Sequence, residues 1–301
     1  MNLDTLGVIE AEGSDACAFL HGQLTQDVVL LPVGQIRLAA YCSPKGRMLV
    51  SFVLLKAAPD RVLLLCPREA LPAALKRLSL FVLRAKVRLS DASARFQCLG
   101  WLGDVLPGAQ PGADGPWSAS ACEGGTRLVL YPADGQARGL WLAPADVARP
   151  LPLGQAPALS ADLWAWAEVR SGVAPIGTAL ADALVPQMLN YESVGAVNFK
   201  KGCYPGQEVV ARSQFRGTLK RRAFLARCDA PLSSGDAVYS TQDPEQPCGL
   251  VALAAAAPQG GYEAIVSLQL AAYETGGLRL RDAQGPELRC SAPPYPLLAD
   301  V

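Results

Sequence analysis

Residues 198–222 combine a cysteine, several glycines, a proline and a concentrated positive charge in one short stretch. Seven of these residues are lysine or arginine and one is glutamate, whereas the whole chain of 301 residues has a formal net charge of zero. A local positive potential attracts an anionic ligand, which could be a carboxylate or phosphate tail or an RNA backbone. This stretch is therefore the first candidate for a functional site.

Cys203 is the candidate reactive residue of the stretch. Lys200 and Lys201 precede it, and a helix is predicted over residues 205–216. The prediction rests on a proline at the first helical position and on Gly217 as the C-terminal stop. Cations and a helix N-terminus both favour the thiolate form of a cysteine. The alternative is a buried, inert cysteine beside a solvated basic face, and the residues alone leave both interpretations open.

The remaining cysteines and the single histidine narrow the possible chemistry. The nine cysteines form no C-x-x-C pair and no zinc-like spacing, so we expect free thiols in a reduced cytoplasm and no metal site. Cys66 follows an apolar run and is expected in the core. One histidine nearly excludes histidine-based triads. We expect His21 to be an exposed helix residue rather than a catalyst.

Local patterns predict the elements that must position the basic stretch. Strand-like runs at residues 36–43 and 48–55 flank the turn Pro-Lys-Gly-Arg at residues 44–47, which predicts a hairpin. Ser14 and Ser160 are predicted to cap two helices. Other segments follow the same reasoning: strands at 61–66, 86–89, 96–101, 127–131 and 139–142, a helix at 69–80 and a loop over 103–125. After residue 217, short strands between turn signals suggest a small barrel.

The composition bounds the class of protein. Half of the residues are hydrophobic and 18% are charged, which is enough apolar material for two domains or three small ones. No apolar run reaches the roughly 18 residues needed to cross a bilayer. The N-terminus lacks the basic region of a secretory signal. We expect a cytoplasmic monomer without a membrane partner.

Residues 201–208 read KGCYPGQE and resemble the signature of the YgfZ-type folate-binding proteins. These proteins are relatives of the glycine-cleavage T-protein, an aminomethyltransferase, and of the folate domains of sarcosine and dimethylglycine dehydrogenases. The pattern FLHGQLTQD at residues 19–27 and the turn at residues 44–47 are similar to the same family. An eight-residue signature is far more specific than a lone glycine motif.

The resemblance implies a fold, a cofactor and a set of contacts. The fold is α+β, with T-protein-like folate-binding domains over 1–218, divisible into 1–105 and 106–218, followed by a C-terminal β-barrel over 219–301. The cofactor is tetrahydrofolate or a derivative. Its implied contacts are Gln23, Thr25, Asp27, Lys45, Arg47, Glu168, Lys201, Gly202, Tyr204, Gly206, Gln207, Glu208 and Arg212.

The position of the pterin-binding acid remains open at this point. The T-protein has such an acid near the helix that corresponds to residues 160–171. Glu168 and Glu192 are candidate acids, and Arg170 is a candidate for the same place.

The resemblance also implies two functions. The first is an accessory factor that supports iron–sulfur enzymes as transient partners, including a tRNA-thiolating radical enzyme, with Cys203 as its functional thiol. One cysteine cannot hold a stable cluster, which usually takes four cysteine ligands. The second is a folate-dependent one-carbon transferase that moves an aminomethyl or methyl group. The T-protein places an aspartate just after the hairpin turn, whereas residues 45–50 contain no acid, which disfavours T-protein chemistry.

Direct binding to nucleic acid ranks third. The chain as a whole is neutral, and the basic stretch lacks interleaved aromatic residues.

Overall fold

The first sheet carries the predicted hairpin. The computed structural model describes residues 1–103, 115–148, 158–215 and 219–298. Five antiparallel strands lie in the order β2-β3-β4-β1-β5. They are β1 (Leu6–Glu12), β2 (Ile36–Cys42), β3 (Met48–Ala58), β4 (Arg61–Pro67) and β5 (Arg88–Asp91). Helices α1 (Ala16–His21) and α2 (Leu71–Ser79) share a core with one face of this sheet. That core includes the buried side chains of Ile9, Leu20, Phe52 and Leu78, which leaves the other face free for the rest of the protein.

The second sheet has four antiparallel strands in the order β6-β9-β8-β7. They are β6 (Phe96–Leu102), β7 (Ser118–Cys122), β8 (Gly125–Val129) and β9 (Arg138–Pro144). Helix α3 (Ala161–Arg170) follows, and the hydroxyl of Ser160 accepts a hydrogen bond from the backbone N–H of Leu163 at 3.1 Å. The predicted cap at Ser160 is therefore confirmed. The segment predicted as a loop contains β7, while its residues 104–114 lie outside the described residues.

The third sheet follows helix α4 (Gln207–Phe215) and has six strands in the order β14-β11-β12-β13-β10-β15. The elements are β10 (Arg221–Cys228), β11 (Ala237–Ser240), β12 (Asp243–Ala256), β13 (Tyr262–Gln269), α5 (Leu270–Thr275), β14 (Leu278–Leu280) and β15 (Arg289–Ser291). The N–H of Leu288, just before β15, donates to the carbonyl of Leu278 at 2.9 Å. Leu278 belongs to β14, and β15 pairs with β10. The chain from Leu288 through β15 therefore joins the two ends of the sheet, and the sheet closes into a barrel.

One apolar core joins the three sheets. It contains Leu38 of β2, Leu140 of β9, Trp164 of α3 and Leu225 of β10. The predicted α+β class with a C-terminal barrel is confirmed. The division at residues 105 and 218 stays a prediction, and the strand pairing itself changes sheet between β5 and β6. Among the helices that the structure describes, none combines the length and apolar character needed to span a bilayer.

The segment between α3 and α4 is locked onto the barrel by side chains that imitate strand pairing. The Asn190 amide donates to the carbonyl of Ala223 at 2.9 Å and accepts from its N–H at 3.2 Å. Arg222 and Glu192 form a buried ion pair at 2.7 Å. Residues 295–298 complete the lock, because the Tyr295 hydroxyl donates to the carbonyl of Gly172 and the N–H of Leu298 donates to Ser193 Oγ.

Two helix starts differ from the predictions. Helix α4 begins at Gln207 rather than Pro205, because Gly206 adopts a φ of +79° that no right-handed helix contains. Its predicted end at Arg216 and Gly217 lies outside the described residues. Helix α1 starts after Asp15, and no side-chain cap bond forms there. Ser14 is therefore not the cap.

The same Gly206 places the start of α4 directly on the hairpin turn, residues 43–47. A Cβ added at Gly206 would lie 2.6 Å from both the Cα and the N of Gly46 and would also overlap the carbonyl oxygen of Ser43. The two backbones therefore touch where both residues lack a side chain.

We expect Gly206→Ala to destabilise the protein more than Gly235→Ala, the matched control. Both positions have a positive φ, but a Cβ at Gly235 would meet nothing within 4 Å. The control should lose about 1–2 kcal/mol from backbone strain alone. Overlap with the hairpin turn should cost Gly206→Ala about 1–3 kcal/mol more. Urea unfolding of both variants measures the difference, and equal losses would show that the contact with the hairpin is dispensable.

Candidate functional site

Residues 200–206, here called the thiol loop, are fastened to the end of α1 by Lys201. The Lys201 ammonium donates to the carbonyls of His21 and Leu24, the latter at 2.9 Å. It also lies 4.6 Å from the centre of the Tyr204 ring, a cation–π contact. Lys201 is buried and caps the carbonyl end of α1, where a cation is favoured by the helix dipole. The sequence-based role of Lys201 and Tyr204 in binding folate stays a prediction.

Burial changes the acidity of Lys201. It lowers the pKa of the ammonium from 10.5 to about 8, while the charges of Asp27 and of the Cys203 thiolate act in the opposite direction. Lys201 is therefore a group beside Cys203 that can exchange a proton at mildly basic pH.

His21 belongs to the same cluster. Its Nδ1 lies 3.2 Å from the Asp27 carboxylate, which also accepts the N–H of Leu30 at 2.8 Å. A Cβ added at Gly202 would lie 3.4 Å from His21 Nε2, so the imidazole lies beside the thiol loop. The side chain of His21 is 21% exposed. The predicted place of His21 in a helix is confirmed, because α1 ends at His21. Its predicted exposure was wrong, because the side chain is half-buried beside a loop 180 residues further along the chain.

Cys203 is exposed, whereas none of the other eight cysteines is, and all nine lie in described residues. Burial raises the pKa of Cys42, Cys66 and Cys98 to about 12, which makes these thiols inert at neutral pH. The prediction of a core position for Cys66 is confirmed. The alternative of a buried Cys203 is wrong.

The hairpin turn lies against the thiol loop and α4. A Cβ at Gly46 would lie 2.8 Å from the Val209 side chain, and Lys45 and Arg47 are exposed on either side of Gly46. Arg47 donates to the carbonyl of Asp182 at 3.2 Å. The arrangement places two cations next to the start of α4.

The other predicted residues of this region have varied surroundings. The Thr25 hydroxyl is fully buried, donates to the carbonyl of Ala196 at 2.7 Å and accepts from the N–H of Ala40 at 2.8 Å, which is a structural role. Gln23 Oε1 is buried and has no hydrogen-bond partner among the described residues. Gln207 accepts the N–H of Tyr204 at 3.1 Å, and Glu208 is exposed in the first turn of α4.

A separate cavity lies where the first two sheets meet α3. Its volume is about 70 Å³. Its walls are largely apolar and include Leu38, Val53, Trp117, Leu140 and Trp164. The polar groups that line it include Ser51, Arg138 and Glu168. Apolar walls with few polar groups are typical of small-molecule sites.

Arg138 is held on several sides, and one of its guanidinium nitrogens has no hydrogen-bond partner among the described residues. Its Nε donates to the carbonyl of Tyr131 at 3.2 Å, its Nη2 donates to Ser171 Oγ at 3.3 Å, and its guanidinium lies 5.1 Å from the Trp164 ring centre. Nη1 is buried without a hydrogen-bond partner among the described residues. It lies 3.8 Å from Glu168 Oε1, which is an ion pair but too long for a hydrogen bond. Nη1 therefore keeps donor capacity for an acceptor that approaches it from the cavity.

Burial raises the pKa of Glu168, and the charge of Arg138 opposes this change. Burial also lowers the pKa of Arg138. Of the three positions left open for the pterin acid, Glu168 lines the cavity. Arg170 pairs with Asp134 and Glu263, and Glu192 pairs with Arg222. No pattern in the sequence pointed to Arg138, whose partner lies 30 residues further along the chain.

Most of the predicted residues thus fall into two places. The thiol loop, Gln23, Asp27 and the hairpin turn lie together, and Glu168 lies in the cavity. Arg212 lies on α4. Within the described residues no group of three or more potential ligands could hold a metal ion.

Comparison with known proteins identifies similar sequences and a similar fold. The chain is 32% identical to the tRNA-modifying protein YgfZ of Edwardsiella ictaluri, over 98% of this chain and 92% of that protein. It is 30% identical to an uncharacterized protein of Haemophilus influenzae, over 75% of this chain and 72% of that protein. It is also 30% identical to the tRNA-modifying protein YgfZ of Vibrio vulnificus strain CMCP6, over 74% and 68%.

A search of family models found no match. Among solved structures, the glycine cleavage system aminomethyltransferase T of Bartonella henselae has a TM-score of 0.69 and 16% identity, over 98% of this chain and 85% of that one. The predicted T-protein-like fold is therefore confirmed.

Lys201 should make stability depend on pH in one window. Between about pH 8 and 10.5 the unfolded chain holds a proton on Lys201 that the folded protein has released. Its contribution to the free energy of unfolding therefore rises with pH across this window and is constant below it. In urea unfolding, the free energy of unfolding of wild type minus that of Lys201→Met should increase over the same pH range. The exposed neighbour variant Lys200→Met is the control. A difference that does not change with pH would contradict the lowered pKa of Lys201.

Proposed function

The chain belongs to the YgfZ family of tRNA-modifying proteins, and from this premise we propose that it is a folate-binding accessory factor for iron–sulfur enzymes. Through these enzymes it takes part in tRNA modification. The observation that carries the proposal is the presence of two different sites in one chain. One is a polar pair in an apolar cavity, and the other is an exposed thiol on a loop fastened to α1.

The chemistry of the cavity suits the pterin end of tetrahydrofolate. A pterin presents N–H donors and a carbonyl acceptor on the edge of a flat apolar ring. The Glu168 carboxylate would accept from the donors, and the unbonded Nη1 of Arg138 would donate to the acceptor. A volume of about 70 Å³ is small for a two-ring system, so binding requires the lining side chains to move outward.

The hairpin cations are the best placed candidates for the anionic glutamate tail. Strand β3 contributes Ser51 and Val53 to the cavity, and Arg47 precedes Ser51 by four residues. This spacing is about 13 Å along an extended strand. Lys45 and Arg47 are exposed there. Lys201 already makes two hydrogen bonds to backbone carbonyls, so its proposed contact with the tail would use the remaining N–H.

Cys203 supplies the chemistry of the accessory role. It is exposed and flanked by glycine on one side and by the Lys201–Tyr204 contact on the other. A partner can therefore reach the sulfur. A single thiol suits a transient role, such as thiol exchange or brief ligation of iron or sulfur carried by a partner, which is the substrate in this scheme.

The alternative function is one-carbon transfer, which is consistent with the similarity in fold to aminomethyltransferase T. Asp182 lies next to the hairpin turn in space and accepts a hydrogen bond from Ser43 at 2.7 Å. It is exposed and does not line the cavity. Aminomethyl transfer with a lipoyl carrier protein would establish this alternative.

We expect Glu168→Gln to weaken tetrahydrofolate binding about ten-fold or more. The change keeps the shape but removes a charge-assisted hydrogen bond, which contributes about 1.5–3 kcal/mol. Calorimetric titration of wild type and variant measures the effect. Asp162→Asn is the matched control, because Asp162 is exposed on the same helix. If wild type does not bind tetrahydrofolate, the folate proposal is refuted. If Glu168→Gln binds as tightly as wild type and Asp162→Asn, the cavity is not the folate site.

Cys203→Ser should separate the two sites. Folding and tetrahydrofolate affinity should stay within about two-fold of wild type, because the thiol does not line the cavity. The level of thiolated nucleosides in tRNA, measured by mass spectrometry in cells that depend on this protein, should fall to that of cells lacking it. Cys122→Ser, which changes a half-buried thiol on β7, should behave as wild type. If Cys203→Ser restores the full level of thiolated nucleosides, Cys203 has no chemical role in the proposed function.

A further inference from the structure

The outer face of α4 carries a stripe of partly apolar surface. Val209, Arg212 and Phe215 are spaced three residues apart and therefore share one side of the helix. Val209 is 38% exposed and Phe215 is 49% exposed. The opposite side is committed to the interior, because Val210 and Gln214 are buried. With Glu208 and Ala211 these residues line an open groove of about 490 Å³, here called the α4 groove.

The apolar side chains of the α4 groove are held in place rather than loosely exposed. The Phe215 ring packs edge to face on Phe199, with ring centres 5.1 Å apart and an interplanar angle of 73°. Val209 lies against Gly46 of the hairpin turn. Preorganised anchors of this kind lower the conformational entropy lost when a partner binds.

The charge around the groove has one dominant sign. Lys45, Arg47 and Lys200 are exposed in the neighbouring turn and loop, and Arg212 lies within the groove itself. Among the described residues that line it, Glu208 is the acidic one. A partner that is complementary to this surface is acidic and carries at least one apolar side chain.

The groove also lies close to Cys203. Helix α4 begins four residues after Cys203, and its nine residues rise about 12 Å from Gln207 to Phe215. A chain lying along the groove therefore passes the exposed thiol within the length of one short peptide. We propose that the α4 groove is the docking surface for an acidic, apolar-anchored segment of a partner protein, and that it delivers this segment to Cys203. The inference rests on the proposed accessory function, because it names the surface through which a partner would be recognised.

A protein segment fits this surface better than RNA does. Single-stranded RNA is bound by flat aromatic faces on which bases stack. Here Val209 offers no ring, and Phe215 already contacts Phe199 through an edge-to-face pair. Glu208 would also repel a phosphate backbone.

The test uses disulfide exchange at Cys203 as a measure of docking. Three short peptides contain two leucines, a terminal cysteine activated as a 2-pyridyl disulfide, and either glutamate, glutamine or lysine at the remaining positions. The Cys203 thiolate attacks the peptide sulfur, a mixed disulfide forms, and 2-thiopyridone leaves with the electron pair and takes up a proton. Its absorbance gives the rate for the full chain, and the rate of Cys203→Ser is subtracted as background.

We expect the glutamate peptide to react about ten-fold faster than the lysine peptide at low salt. Phe215→Ser and Val209→Ser should each lower the rate of the glutamate peptide roughly three- to ten-fold. Neither should change the rate with free 2,2′-dithiodipyridine, which reports the thiol alone. Leu83→Ser is the matched control, because Leu83 is 85% exposed and lies outside the groove. Circular dichroism confirms that each variant is folded.

Two results would overturn the docking surface. One is equal rates for the three peptides, or rates that Phe215→Ser and Val209→Ser leave unchanged. The other is tighter binding of a labelled single-stranded RNA, measured by anisotropy, that the same two variants abolish. Tetrahydrofolate titration of wild type is run in parallel, so failure of the groove is distinguishable from failure of the proposed function.

Discussion

The contact between Gly46 and Gly206 is the constraint on which the arrangement of the thiol site depends. A hairpin from the first sheet and a helix start more than 150 residues later meet backbone to backbone, with no room for a methyl group. The positive φ of Gly206 turns the chain at this point, so the helix can begin only at Gln207. This approach places the start of α4 against the hairpin turn, while the hydrogen bonds of Lys201 hold the thiol loop that precedes it.

The two candidate sites use electrostatics in different ways. In the cavity, Glu168 and Arg138 face each other at 3.8 Å among apolar walls, so each charge is only partly compensated by the other. Such a pair contributes little to stability by itself, because desolvation offsets its attraction. In the thiol loop, the Lys201 ammonium is compensated by backbone carbonyls and by an aromatic ring. The first arrangement leaves hydrogen-bonding capacity for a ligand, whereas the second arrangement fastens a loop.

Local patterns predicted the hairpin, the capped helix α3 and the barrel strands, whereas they left the exposure of Cys203 open. Each of these depends on neighbours in the chain, through alternation, capping residues or turn residues. The start of α4 was missed because Pro205 is a good first helical residue, and only the tertiary contact of Gly206 overrides it. Arg138 and the half-buried His21 were missed for a related reason. The partner of Arg138 is an acid on a helix, to which no periodicity relates a strand residue. The loop that half-buries His21 comes from about 180 residues further along the chain.

The lock formed by residues 295–298 has a consequence for synthesis on the ribosome. The carbonyl of Gly172 accepts a hydrogen bond from the Tyr295 hydroxyl, and Ser193 Oγ accepts one from the N–H of Leu298. The two bonds span 123 and 105 residues of sequence. At a translation rate of about 5–20 residues per second, these partners are made roughly 5–25 s after the segment that they hold. While the barrel is being synthesised, the Gly172 carbonyl and the Ser193 hydroxyl therefore remain hydrated. A nascent chain stalled inside the barrel would present the thiol loop before the segment preceding it is fastened.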